Sequence, residues 1–391
     1  MTALTILLII YALFITLALA WLGSIGMRFL GTLTPTPLPE SLPLVSTVVP
    51  ARNEERNIRR CASGIVQQDY PNLEMVFVDD DSEDATPDIL AEFVARDERV
   101  KVVNTGGKPQ GWNGKQWACY SGAQQATGDW LCFMDADTYA EPSLISRTLA
   151  FAEANDIDFL TLQPWYELRG LWERIMIPMM LYLLAVFPPH RVNDPNDSLA
   201  MANGQFILIR RSVYEATGGH EAVRNRMMDD FSLAEIVKGA GYRLFIADGR
   251  EVMSVRLYTN LKEIRQGALK ASVDLSGGWV ASILGMVGIF ILNILPLVFL
   301  LWAVLVDNAI ATVILAAIVI GQIIFYGATR SLGYRVPPWS GVSYPVGTIL
   351  GIAILLEGMV RVASGSEIQW KGRDVMGRPE LSVKKPGSDQ G

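Results

Sequence analysis

A chain of 391 residues exceeds one ordinary domain, and 50% hydrophobic content with positive mean hydropathy points toward a membrane. With 33 basic against 40 acidic residues the net charge is −7, and no basic stripe appears, which argues against nucleic acid as a partner. Two histidines, His190 and His220, are too few for a multi-histidine metal site. The three cysteines, Cys61, Cys119 and Cys132, form neither a zinc pattern nor a disulfide framework.

Leu4 to Leu22 is uncharged over about nineteen residues, enough to cross a bilayer core. It has no basic n-region and no small-residue cleavage site, so an uncleaved transmembrane anchor is expected over residues 1–28. Pro35, Pro37, Pro39 and Pro43 then make residues 29–43 a stiff linker. The body, 44–278, carries most of the charge. Apolar stretches return at Val280–Val306, Ala309–Tyr326 and Tyr344–Val360, so 279–363 reads as membrane segments and 364–391 as a polar tail. By the positive-inside rule, Arg28, the body and the Arg330/Arg335 loop are cytoplasmic. Three full spans after the body would put Lys371, Arg373, Arg378, Lys384 and Lys385 outside, against the same rule. Either one segment is re-entrant or the rule fails here.

Within the body, strand and helix alternate. Leu44–Val49, Leu73–Val78, Val100–Val103 and Trp130–Met134 read as strands, and Asn57–Gln67, the segment from Thr86-Pro87 to Val94, and Gln116–Ala126 as helices. Thr86 supplies an N-cap and Pro87 a first-turn proline. The repetition predicts an α/β domain with a mostly parallel sheet and helices on both faces, where ligands collect at the carboxyl ends of the strands. Leu171–Phe187 has an uncharged core of about thirteen residues, too short to span, with Pro178 inside it. An interfacial helix in the headgroup layer fits this pattern; a buried core helix is the alternative.

The polar residues at the strand exits carry the chemistry. Pro50 ends the first ladder, and Ala51, Arg52, Asn53 and Glu54 follow it; an ordinary capped turn would look the same. Asp79-Asp80-Asp81 leaves the second strand. Three adjacent carboxylates repel one another unless they meet a cation or donors, although a solvated loop remains open. Gly111-Trp112-Asn113-Gly114-Lys115 opens a helix whose N-terminus attracts anions, with Lys115 adding a point charge. It is no Walker loop, since Pro109 and Gln116 occupy required positions. Asp135-Ala136-Asp137 closes the strand Trp130–Met134, and two carboxylates so held can seat a hard cation bearing a diphosphate. The same spacing recurs in Asp156-Ile157-Asp158, between a helix and a strand, where turn residues belong. Asp229 and Asp230 head a helix running to Gly239. Either caps it, or one serves as a general base.

The ordered set VVPARNEE, VDDDSEDAT, GWNGK, DAD, NGQF (Asn203–Phe206), GGH (Gly218–His220) and DDFSLAE resembles the membrane-anchored family-two glycosyltransferases over Leu44 to Gly278. The resemblance extends to Trp370-Lys371-Gly372-Arg373. It is strongest to the lipid-modifying branch, which acts on ceramide, hopanoids and carotenoids. The resemblance implies a nucleotide-diphospho-sugar transferase (GT-A-like) fold, a UDP-sugar donor with glucose the commonest sugar, Mg²⁺ or Mn²⁺, and inversion at the anomeric carbon. It further implies a membrane lipid acceptor with a hydroxyl or carboxyl, and a catalytic domain at the cytoplasmic face of a bacterial inner membrane. By position, Ala51 and Glu54 border the uridine pocket with Pro50 and Arg52 beside them, and Asp79 recognises the nucleotide with Asp81 in the same loop. Asp135 and Asp137 hold the metal, Gln205 and Asp229 complete the donor-binding set, and Asp230 is the catalytic base. Processive members carry Q-x-x-R-W after the base. Here the region reads Arg265-Gln266-Gly267-Ala268-Leu269-Lys270, which argues against the alternative of a processive polysaccharide synthase and leaves diphosphate contact to Lys270.

Overall fold

The computed structural model describes residues 6–8, 10–18, 31–182, 187–274, 279–334, 336–364, 368–370 and 373–375. An apolar helix, α1 (Ile6–Ala18), precedes the short strand β1 (Gly31–Thr32). Then come β2 (Val45–Ala51), α2 (Ile58–Val66), β3 (Leu73–Asp79), α3 (Thr86–Val94), β4 (Val100–Asn104), α4 (Gly114–Gln125) and β5 (Trp130–Met134). The chain continues through β6 (Thr138–Ala140), α5 (Leu144–Ala154), β7 (Phe159–Gln163), β8 (Trp165–Tyr166), α6 (Leu171–Tyr182) and α7 (Pro189–Val192). Next are β9 (Phe206–Arg210), α8 (Arg211–Ala216), α9 (Gly219–Ala222), α10 (Asp229–Gly239), β10 (Leu244–Asp248), β11 (Met253–Val255) and α11 (Leu261–Asp274). The apolar helices are α12 (Trp279–Asn293), α13 (Leu295–Leu305), α14 (Ala309–Tyr334) and α15 (Tyr344–Ser364), followed by β12 (Ile368–Trp370) and β13 (Arg373–Val375).

Eight strands form one sheet in the order β1-β10-β7-β9-β5-β2-β3-β4, parallel except for β9, which runs against both β5 and β7. All residues of β3 and β5 are buried, as expected of strands covered on both faces. Alternation sorts them: Val49, Phe77 and Cys132 join the layer of α2, α3 and α5, while Val48, Val76 and Phe133 join that of α4 and α10. The mostly parallel α/β sheet is therefore as the strand-helix repetition predicts.

Several local expectations are corrected. Pro50 does not end the ladder; β2 stays paired to β3 through Ala51↔Asp79, while its pairing to β5 stops at Val48↔Phe133. The ring removes a donor only on the side that β5 has already left. Thr86 is the first residue of α3 rather than its cap, and its hydroxyl accepts the Glu54 amide at 2.8 Å. The linker 29–43 is not wholly outside the body, because β1 adds to the sheet edge at β10 and Leu33 is buried. Asp156, at φ 50°, sits in the turn before β7, and Asp158 accepts the Arg243 amide, which makes that pair a turn device.

Helix α6 packs much of its apolar surface on protein, and residues 183–186 of the stretch read as an interfacial helix lie outside the described residues. Ile175, Met176, Ile177 and Met179 are buried, against α11 and α15 among others, so the apolar face already has a protein partner. Among the described residues, Ala309–Thr329 and Pro338–Arg361 are long and apolar enough to cross a bilayer. The stretch Val280–Val306, read as one span, contains two helices bent by 42° at a break, the form of a broken span or of a re-entrant loop. Pro296 has no N–H for the Leu292 carbonyl, and the Gln322 side-chain amide supplies the missing donor.

Candidate active site

The register of the sheet brings the exits of β2, β3 and β5 side by side, and the antiparallel β9 adds the segment before it. Because Met134 pairs with Phe206, Asn203-Gly204-Gln205 lies next to Asp135. The start of α4 is tied to the segment before α10: the Asn113 amide group and the Gln116 side chain donate to the Arg226 carbonyl at 3.0 and 2.7 Å. Two motifs about a hundred residues apart are thereby held together.

Between them opens a cleft of about 900 Å³. Pro50, Ala51, Arg52, Glu54, Lys115, Asp135, Asp137, Gln205, Asp229 and Asp230 all line it. Asp79 and Asp81 do not. Asp79 is buried and turned to the Asn104 side chain and the Ser82 amide, while Asp80, between them, faces the cleft. Arg52 fastens this loop by donating to the Asp80 and Asp81 carbonyls. The Lys270 side chain lies outside the described residues.

Lys115 is the electrostatic centre. Its Nζ stands 2.6 Å from Asp135 and 4.0 Å from Asp229. Burial works against the ammonium charge, but the Asp135 and Asp229 carboxylates outweigh it and hold Lys115 well above the usual lysine range. Asp230 accepts the Gly204 amide at 2.9 Å and its neighbour Phe231's amide at 2.9 Å. Burial first, and the charge of Asp229 second, push Asp230 up to about 6. A carboxyl so placed stays ionised at neutral pH yet is basic enough to take a proton. Met228 is the cap residue of α10 and both aspartates lie in its first turn, where Asp230 takes the free Phe231 amide. A Cβ on Gly204 would come 3.1 Å from both Asp230 and Lys115, so glycine keeps that space clear.

Asp135 and Asp137 supply hard oxygen donors, and the described residues contain no group of three or more metal-type side chains. That donor set fits a cation completed by ligand phosphates rather than an all-protein cage. His220 is structural: burial pushes it down to about 4, and its Nδ1 lies 3.0 Å from the Tyr214 hydroxyl.

Sequence reasoning missed Arg256 and Tyr258, which also line the cleft. They arrive because β11 pairs with β6, Val255 opposite Thr138, and the Arg256 amide reaches the Asp137 carbonyl. No local motif marks them. Arg256 is steadied by Glu173, a fully buried carboxylate on α6, at 3.0 Å. From α11, Gln266 and Gly267 close the wall.

Residues 46–218 match the family described as Glycosyl transferase family 2. The chain is similar to 4,4'-diaponeurosporenoate glycosyltransferases, 27% identical over 221 residues to that of Staphylococcus haemolyticus and 24% over 237 residues to that of Staphylococcus aureus. These alignments cover 56% and 60% of this chain and 58% and 62% of the relatives, so the chain spans about three fifths of the length of the curated relatives it matches. In fold it is similar to a mannosyltransferase of Pyrobaculum calidifontis solved with GDP-Man and Mn²⁺, at TM-score 0.54 and 17% identity, covering 93% of this chain and 99% of that one. With its GT-A-like sheet and the motif Asp135-Ala136-Asp137 at the exit of β5, the chain carries a glycosyl transferase family 2 domain over residues 46–218.

Proposed function

We propose that this protein transfers a sugar from a UDP-sugar, glucose foremost, to a hydroxyl or carboxyl of a membrane lipid, with inversion at the anomeric carbon. One observation carries the reading: carboxylates from two distant segments, Asp135 and Asp137 with Asp229 and Asp230, converge with Lys115 in a single cleft of nucleotide-sugar size at the carboxyl end of the sheet. The likeness to glycosyltransferases of a carotenoid acid supports an apolar acceptor.

Asp135 and Asp137 would hold Mg²⁺ or Mn²⁺, which when bound neutralises charge on the departing diphosphate. Asp230 takes the proton of the acceptor hydroxyl as its oxygen attacks the anomeric carbon. The bond from that carbon to the diphosphate oxygen breaks, and its electron pair leaves with UDP. Gly204 and the Phe231 amide keep the Asp230 carboxylate oriented through the transfer. Lys115 and Arg256 add positive charge on the diphosphate side, where preorganised charge is the largest contribution to rate. Detergent-solubilised protein given labelled UDP-glucose and candidate lipids is expected to put label into a chloroform-soluble product. Label confined to polymer, or no transfer and no donor hydrolysis, would overturn the reading.

The membrane arrangement follows the same logic. β12 packs against α11, so the chain that leaves the body at α11 comes back to it after α15. A return of this kind supports an even number of bilayer crossings between them and a tail on the same, cytoplasmic, side as the cleft. A cysteine introduced at Gln369 should react with a membrane-impermeant maleimide from the side that labels a cysteine at Glu55. Labelling from opposite sides would exclude this topology.

A further inference from the structure

One wall of the cleft is built by α11, and α11 is held by a membrane helix. Gln266 and Gly267 line the cleft. A Cβ on Gly267 would fall 2.1 Å from the Tyr258 hydroxyl oxygen and 2.3 Å from the ring carbon bearing it, so the Tyr258 ring end rests directly on the α11 backbone. Tyr258 in turn lines the cleft with Asp135 and Asp137. One residue before Gln266, Arg265 donates from Nε to Glu357 Oε2 at 2.7 Å and pairs through Nη2 with Oε1. Glu357 belongs to α15, and Arg361, one turn on, donates to the same Oε1 at 2.8 Å. Around this fork Ile264 and Leu269 of α11 pack with Ile354 and Leu350 of α15 and with Ile175 and Met176 of α6.

A two-pronged arginine–carboxylate pair fixes orientation as well as distance. Here it fixes the rotation of α11 about its axis, and that rotation decides where Gly267 supports Tyr258. We infer that Glu357 is a positioning residue for the donor cleft: acting through Arg265, it sets the α11 wall so that Tyr258 stands against the Asp135/Asp137 pair. The seating of α15 is thereby coupled to how tightly the nucleotide is held. This rests on the proposed donor chemistry and adds to it a residue of the apolar layer, outside the cleft.

The test uses the full chain in detergent or proteoliposomes and reads uridine diphosphate binding by calorimetry alongside kcat and KM for the donor. Glu357→Gln and Arg265→Gln are each expected to weaken UDP binding and raise the donor KM about tenfold, with kcat changed much less, within the range seen for couplings between packed elements. The double variant should be no worse than either single one, since both remove the same link. Gly267→Ala, which displaces Tyr258 directly, should reproduce the effect with the Arg265–Glu357 pair intact. Wild-type UDP affinity and donor KM in the variants, or single effects that multiply in the double variant, would overturn the inference alone. Absence of UDP binding in the unaltered chain would sink the functional reading and this inference with it.

Discussion

Asp230→Asn should leave uridine diphosphate bound with near wild-type affinity and lower turnover about 10²–10⁴-fold, the usual contribution of a general base. Asparagine keeps the size of the side chain and an oxygen to accept the Gly204 amide, so the loop before β9 stays in place. What disappears is the capacity to take a proton. The pH profile supplies the second signature. Burial and Asp229 raise Asp230 to about 6, and a base works in its deprotonated form. The kcat/KM of the native enzyme should therefore be level above that value and fall about tenfold per unit below it, and this limb should vanish from the residual activity of the variant. Parallel loss of UDP affinity and turnover would show Asp230 to be structural instead.

The parts of the site legible from local sequence are those where a buried strand ends in polar residues. β2, β3 and β5 announce themselves by apolar runs, and Arg52, Asp135 and Asp137 follow at the exits of β2 and β5, so a parallel sheet places them together without further information. Lys115 is legible as a cation at a helix start, but its partners are not, because the bond from Gln116 to Arg226 joins segments 110 residues apart. Arg256 and Tyr258 depend on a still longer pairing, β11 on β6. Asp79 differs: the resemblance assigns it to the nucleotide, whereas its carboxylate is turned to the Asn104 side chain at the end of β4 and does not line the cleft. For α6 the short uncharged run was readable, but such a run does not say whether lipid or protein covers it. The break before α13 was present in the sequence as Pro296, inside a run whose composition alone suggested one span.

Lys115→Met should produce the largest loss of stability of any single change in the cleft. The lysine lies among Asp135, Asp229 and Asp230, with the Asp135 and Asp229 side chains 27% and 8% exposed. An exposed ion pair is worth at most about 1 kcal/mol, whereas removing one partner of a buried pair costs about 3 kcal/mol or more because the other charge is left uncompensated. Lys115 is 29% exposed and Asp229 only 8%, so the cost falls between these limits, and a thermal unfolding midpoint lowered by a few degrees is expected for the full chain in detergent. Two further consequences separate the charge effect from a packing defect. Lys115 holds the Asp230 pKa down, so its removal should move the acid limb of kcat/KM above pH 6. Millimolar Mg²⁺ or Mn²⁺ should restore more stability to the variant than it adds to the native protein, since Asp135 is then free of its 2.6 Å partner and available to a cation. An unchanged midpoint, or equal stabilisation of both proteins by the cation, would mean that the carboxylates do not depend on Lys115 for their charge balance.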